Sequence, residues 1–193
     1  MLLFRIQKKH AFLLLLIQFM ALVSMAQAKY HSKAMQVLIS GTSTLHDWTM
    51  KSTAGECSAT FALNGSGQPT ALSSMSFTIP ATSLKSEHTS MDKNAYKALK
   101  TDKSASITYT LTSATVAANG SINCLGKLTI AGTTLDAPLA ATAKVNADRS
   151  IAINVTKKIS MKDFNMSPPT FMLGAVKTGN EVTLQFDLTL IKQ

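Results

Sequence analysis

The chain reads as an all-β protein, a sandwich or closed barrel with one short helix among its strands. Three observations predict this. Apolar and polar residues alternate with a period of two in several short runs. Turn residues break the chain between those runs. No strand–helix–strand rhythm of a parallel sheet is present, and closure would remove the strand edges that otherwise invite aggregation.

The alternation is clearest near the end of the chain. Val182, Leu184, Phe186, Leu188 and Leu190 share one face, and Thr183, Gln185, Asp187 and Thr189 the other. This is the pattern of a half-buried antiparallel strand. Met75, Phe77 and Ile79 form a second apolar face, and Ile107, Tyr109 and Leu111 a third. Cys57, Ala59, Phe61 and Leu63 share a face, as do Ile122, Cys124, Leu128 and Ile130. Ile151, Ile153, Val155 and Ile159 continue the theme, interrupted by Lys157. With Met35 to Met50 and Leu135 to Val145 each taken as a strand, the count is about eight. Turns are expected at Asn64-Gly65-Ser66-Gly67, Asn119-Gly120, Asp148-Arg149 and Thr178-Gly179-Asn180, and a reversal or bulge at Ala131-Gly132-Thr133.

One segment departs from this rhythm. Met91, Ala95, Ala98 and Leu99 recur at helical spacing, so a short amphipathic helix is predicted over Met91 to Lys100. Thr89 or Ser90 would cap it, with Asp92 in its first turn. Pro168-Pro169 forbids regular structure nearby, so Met161 to Leu173 is expected as a loop with at most one helical turn.

The first 28 residues have the form of an export signal. Arg5, Lys8 and Lys9 precede an apolar run from Ala11 to Met25, and Ala26-Gln27-Ala28 has the small-x-small form of a cleavage site. The run is 15 residues long, short of the roughly 20 that span a bilayer. No cysteine follows it until Cys57, so an acylated new terminus is not expected. Residues 29–193 would form one domain outside the cytoplasm, in the periplasm or secreted, with no stable membrane insertion.

That domain carries 16 basic and ten acidic residues, a net charge of +6. The lysines are scattered and do not interleave with aromatics, so the excess reads as a solvated surface and not as a nucleic-acid site. Cys57 and Cys124 both fall on apolar faces. In an oxidising compartment they are the one candidate disulfide, provided that the fold brings them together.

Catalytic and metal signatures are weak. The chain lacks a Gly-x-Ser-x-Gly elbow, a P-loop and a His-Glu-x-x-His pair. His46 and Asp47 are adjacent, so on a strand they would point to opposite faces. His88 lies near Glu87 and Asp92 without the spacing of a metal site. Asp163 and Glu181 are isolated. No catalytic residue, metal or cofactor is therefore assigned. An eight-stranded barrel can be filled by side chains or can hold one ligand. The small residues Ala137, Ala141 and Ala143 on one expected inner face, and three of eight phenylalanines lost to the leader, would leave room. Periodicity alone still fits a packed core better.

Four segments, taken in order, resemble the YceI-like family. They are Leu45-His46-Asp47-Trp48, then Met91 to Thr101 with the strand at Ile107, then Gly126-Lys127-Leu128-Thr129-Ile130-Ala131-Gly132-Thr133-Thr134, and last Ile159 to Met166. The resemblance implies an extended, eight-stranded, antiparallel, lipocalin-like barrel. It also implies an interior that takes a polyisoprenoid, an isoprenoid quinone or a fatty-acid-like amphiphile, with no catalytic set. Three departures stand out. Lys103-Ser104-Ala105 replaces a Lys-Tyr-Pro, Met161 stands where the family has arginine, and Asn165 stands where it has glycine, a place that asparagine can fill with a left-handed backbone.

On that basis the lipid tail is expected among Phe77, Ile79, Ile107, Tyr109, Leu111, Ile122, Leu128, Ile130, Val155, Phe186 and Leu188. The head group is expected at a mouth formed by Tyr96 and Leu99 of the helix and by Phe164, Phe171 and Met172 of the late loop. The expected partner is an amphiphilic lipid, and a homodimer is left open.

Overall fold

The computed structural model describes residues 27–193, so the expected leader lies outside the described residues up to Ala26. Eleven strands and one α-helix follow. They are β1 (Gln27–Ser43), β2 (Trp48–Ser52), β3 (Glu56–Leu63), β4 (Pro69–Pro80), α1 (Thr89–Ala98), β5 (Ser106–Val116), β6 (Ser121–Ile130), β7 (Thr133–Asp136), β8 (Leu139–Val145), β9 (Ile151–Ser160), β10 (Thr170–Phe171) and β11 (Val176–Lys192).

Eight of these strands close a ring. The order is β11-β9-β8-β6-β5-β4-β3-β1, and β1 pairs back onto β11. Every pairing is antiparallel. The closing seam runs from Tyr30↔Lys192 to Ser43↔Thr178, with irregularities at Ser32/Ala34 and Gly41/Ser43. Such bulges let two 17-residue strands bend around the wall.

Of the remaining strands, β10 pairs with the start of β11, and β2 and β7 exist because two ring strands outrun their neighbours. The start of β1 pairs with β3 and its later half with β2. The start of β6 pairs with β8 and its later half with β7. The stretch Met35 to Met50, expected as one strand, is therefore two, broken by the turn at Thr44–Asp47. Leu135 to Val145 is likewise two, broken at Ala137-Pro138, where proline has no N–H to offer the ladder. Gln27 and Ala28, expected to leave with the leader, pair with Ala62 and Phe61 as the first rungs of β1, and Ala28 is buried.

The predicted inner faces point inward. Ile79, Ile107, Tyr109, Ile122, Leu128, Ile130, Ile153 and Leu188 are all buried. Three of the four expected turns form, but Thr178-Gly179-Asn180 lies within β11, where the irregularity opposite Gly41/Ser43 takes up its extra residues. The Asn64 side-chain oxygen accepts from Ser66 and Gln68 N–H, and that of Asn119 from Ser121 N–H. Ala131-Gly132 is a reversal and not a bulge: both residues have positive φ, 51° and 79°, which lets β6 turn straight into β7.

The helix begins and ends two residues earlier than predicted, and its N-cap is His88, whose side chain makes no capping bond. Thr89 and Ser90 lie inside the first turn. Asp92 does the anchoring: its buried carboxylate accepts from Ser86 N–H and Ser86 Oγ, both at 2.7 Å. The segment Met161 to Leu173 is more ordered than the expected loop. It holds a 3-10 turn at Lys162–Phe164, the short strand β10, and the start of a second turn at Met172–Gly174. Asn165 takes the left-handed backbone anticipated for it, with φ 53° and ψ 33°.

Candidate functional site: an apolar cavity roofed by the helix

The wall is apolar inside, yet the interior is not filled. At the end where β4 hands over to α1 lies a cavity of about 320 Å³. Its floor comes from ring strands: Val37 and Ile39 of β1, Ile79 of β4, Ile130 of β6, Ile159 of β9 and Leu184 of β11. Its roof is α1, which turns Met91, Ala95, Ala98 and Leu99 toward it, the stripe the helical spacing predicts. Met161, Met166, Phe171 and Met172 close the side opposite.

Among the described residues the lining contains no Asp, Glu, Lys or Arg; its polar members are Ser43, His46, His88, Ser90 and Thr178. His46 is exposed, and its Nδ1 lies 2.7 Å from the Asp47 backbone carbonyl, not from a carboxylate. An acid–base pair therefore cannot be assembled from the side chains facing the cavity. Among the described residues no three His, Cys, Asp or Glu side chains cluster as a metal site would require.

Trp48 sits against the backbone of Gly41 and donates its indole N–H to the Thr42 carbonyl at 3.0 Å. A side chain at position 41 would occupy the space of the indole, which is why glycine stands there. Five methionines face the cavity: Met50, Met91, Met161, Met166 and Met172. Unbranched thioethers repack at low cost around ligands of different outline.

Phe186 separates this cavity from a smaller one deeper in the barrel, of about 40 Å³. Of the predicted tail residues, Ile79, Ile107, Ile130 and Phe186 line the main cavity. Phe77, Tyr109, Leu128, Val155 and Leu188 line the deeper one, with Phe186 common to both. Ile122 lines neither; it is filler, packed between β5 and β8 at the far end. Leu111 is a half-buried wall residue outside both.

At the mouth, Leu99, Phe171 and Met172 face the cavity as expected, but Tyr96 and Phe164 do not. The Tyr96 hydroxyl is used structurally, within 2.8 Å of the Thr82 and Leu84 carbonyls, which pins α1 to the end of β4. Phe164 is buried within its own turn. The sequence reasoning missed Val37, Ile39, Leu84 and four of the five methionines, Met50, Met91, Met161 and Met166. Met35, Val37 and Ile39 do alternate, and that signal could have found β1's contribution.

The cysteine pairing is corrected. Cys57 and Cys124 are both buried and both free. They stand on β3 and β6 with β4 and β5 between. The register Cys57↔Phe77↔Tyr109↔Leu128 also sets Cys57 level with Leu128, four residues along β6 from Cys124, which adds roughly 13 Å along the strand, about twice the Cα separation a disulfide tolerates. Burial pushes the Cys57 thiol up to about 12 and raises that of Cys124 as well. Burial, with the nearby Cys124, lifts Tyr109 to about 12.

Similar proteins share this architecture. The structure of BcnA from Burkholderia cenocepacia is 16% identical, with a TM-score of 0.66 over 81% of this chain and 96% of that one. The Campylobacter jejuni YCEI protein is 20% identical, with a TM-score of 0.55 over 71% and 81%. A polyisoprenoid binding domain from Saccharophagus degradans, implicated in plant cell wall breakdown, is 12% identical, with a TM-score of 0.63 over 85% and 98%. No curated protein sequence matches the chain. The family model described as a YceI-like domain matches residues 25–190, nearly the whole chain, and the protein belongs to the YceI-like family.

Proposed function

We propose that this protein binds a long apolar lipid and carries or sequesters it after export to the periplasm. The ligand class is a polyisoprenoid, an isoprenoid quinone or a fatty-acid-like amphiphile. Its tail lies under α1, and its head group sits at the rim near His46 and His88. One observation carries this reading: a closed apolar wall surrounds about 320 Å³ of space with no charged side chain among the described residues facing it.

The energetics favour occupation. Small groups take roughly 30 Å³ each in a liquid, so the cavity accepts on the order of ten methylenes. At about 0.8 kcal/mol for each one removed from water, the gross gain is about 8 kcal/mol, before the costs of ordering and association. An empty cavity of this kind forfeits the dispersion contacts of its lining, which weighs against a solid-core interaction module. The S. degradans domain, described as polyisoprenoid binding, supports the ligand class. A lipid-acting hydrolase or isomerase is disfavoured because His46 and His88 meet no acid in the lining.

Native mass spectrometry of protein purified from the periplasm, followed by organic extraction, tests the proposal. A co-purifying lipid adduct is expected. Protein that emerges free of lipid, and takes up neither polyprenols nor fatty acids when offered them, refutes it.

A further inference from the structure

We infer that the Phe77–Phe186 pair is a septum that sets the length of hydrocarbon the interior accepts, with Phe186 as its moving member. The inference rests on the lipid-binding reading above and deepens it. Phe77 lies on β4 and Phe186 on β11. In the ring these strands are three steps apart, with β3 and β1 between. Side chains that meet from such positions meet across the lumen, not along the wall. The two rings do meet, edge to face, with centroids 5.0 Å apart and planes at 80°.

The contact falls between the two cavities. Leu184 and Phe186 line both the main cavity and the deeper one, whereas Phe77 lines the deeper one alone. The two rings also differ in freedom. Phe77 is buried, fixed between its register partners Cys57 and Tyr109. Phe186 faces inward yet is only half-buried, because the space on either side of it is empty. An aromatic side chain with free volume beside it can change rotamer; one in a close-packed core cannot do so without moving its neighbours.

A tail that ends within the main cavity leaves the septum shut. A longer tail has to displace Phe186 and then occupies the space bordered by Met75, Leu128 and Leu188. The edge-to-face contact is lost in that case. Residue 186 thereby discriminates between tails by length.

Competition among a graded series of saturated fatty acids, read by native mass spectrometry, tests this in the wild type and in Phe186→Ala, Phe186→Leu and Phe186→Trp, each checked for folding by circular dichroism. Removing the ring opens room for about four more carbons. Phe186→Ala is expected to move the best-bound length up by that amount and Phe186→Leu by less. Phe186→Trp is expected to leave it unchanged or shorten it. If Phe186→Ala does not fold, Phe186→Leu decides. A wild type that binds none of the series, and takes up no polyprenol either, overturns the lipid-binding reading itself; where it takes polyprenols alone, the same comparison is made with a graded polyprenol series. A wild type that binds, with the same best length in the folded variants, overturns the septum alone.

Discussion

Replacing Ala95 by tryptophan takes about half of the room from under the helix without disturbing the barrel wall. Ala95 is the middle residue of the inward stripe of α1 and faces the cavity directly. It is half-buried only because that space is empty, so a larger side chain enters a void and not a packed core. An indole occupies the place of roughly five methylenes at interior density. Losing five at about 0.8 kcal/mol each weakens binding by about 4 kcal/mol, on the order of a thousandfold in Kd. Lys97 on the same helix is exposed and points away, so Lys97→Trp carries the same helix-propensity cost without filling anything. Displacement of a fluorescent fatty-acid analogue measures both affinities, and circular dichroism establishes that both variants fold. A folded Ala95→Trp protein with an affinity close to that of Lys97→Trp would refute the assignment of this cavity to the ligand.

Further outcomes follow from the same geometry. Thiol titration in denaturant should find two free cysteines per chain, and one disulfide per chain would contradict the strand register. Because burial holds the Cys57 thiol protonated up to about 12, its contribution to stability is complete below about pH 8.5, where the unfolded thiol ionises. It is lost as pH rises toward 12, a matter of a few kcal/mol. Cys57→Ala should flatten the fall in Tm over that range, and an unchanged slope would assign the loss elsewhere. Asp92→Ala should cost about 1–3 kcal/mol in denaturant unfolding by leaving the Ser86 donors unpaired, with partial rescue by Asp92→Asn. If the chain is exported as proposed, its mature terminus should be Gln27 and not Lys29. Ser24-Met25-Ala26 has the same small-x-small form, and cutting after Ala28 would remove two rungs of β1 together with a buried alanine. An intact mass beginning at Lys29 would contradict that boundary.

The wall was legible because a closed antiparallel sheet has one dry face, so every second residue of each strand reports its side. Val182 to Leu190 on β11 and Ile107 to Leu111 on β5 could be oriented this way with no structure at all. The helical roof was legible by its own spacing, but the segments that close the cavity beside it were not, since they are aperiodic. Leu84 follows a 3-10 turn, and Met161 and Met166 flank another; neither lies in a run that can be tested for a period. The cysteines show where the method stops. Period-two patterning placed both thiols inside, correctly, but in a closed ring the inside includes positions on opposite walls and at different heights, and only strand order and register together tell near from far. Cavity against packed core is the same kind of question. Phe77 and Phe186 read as two ordinary inward aromatics until the ring order puts them across the lumen from each other. Their meeting there is a property of closure, and it is closure, not the composition of any one strand, that turns an apolar face into a container.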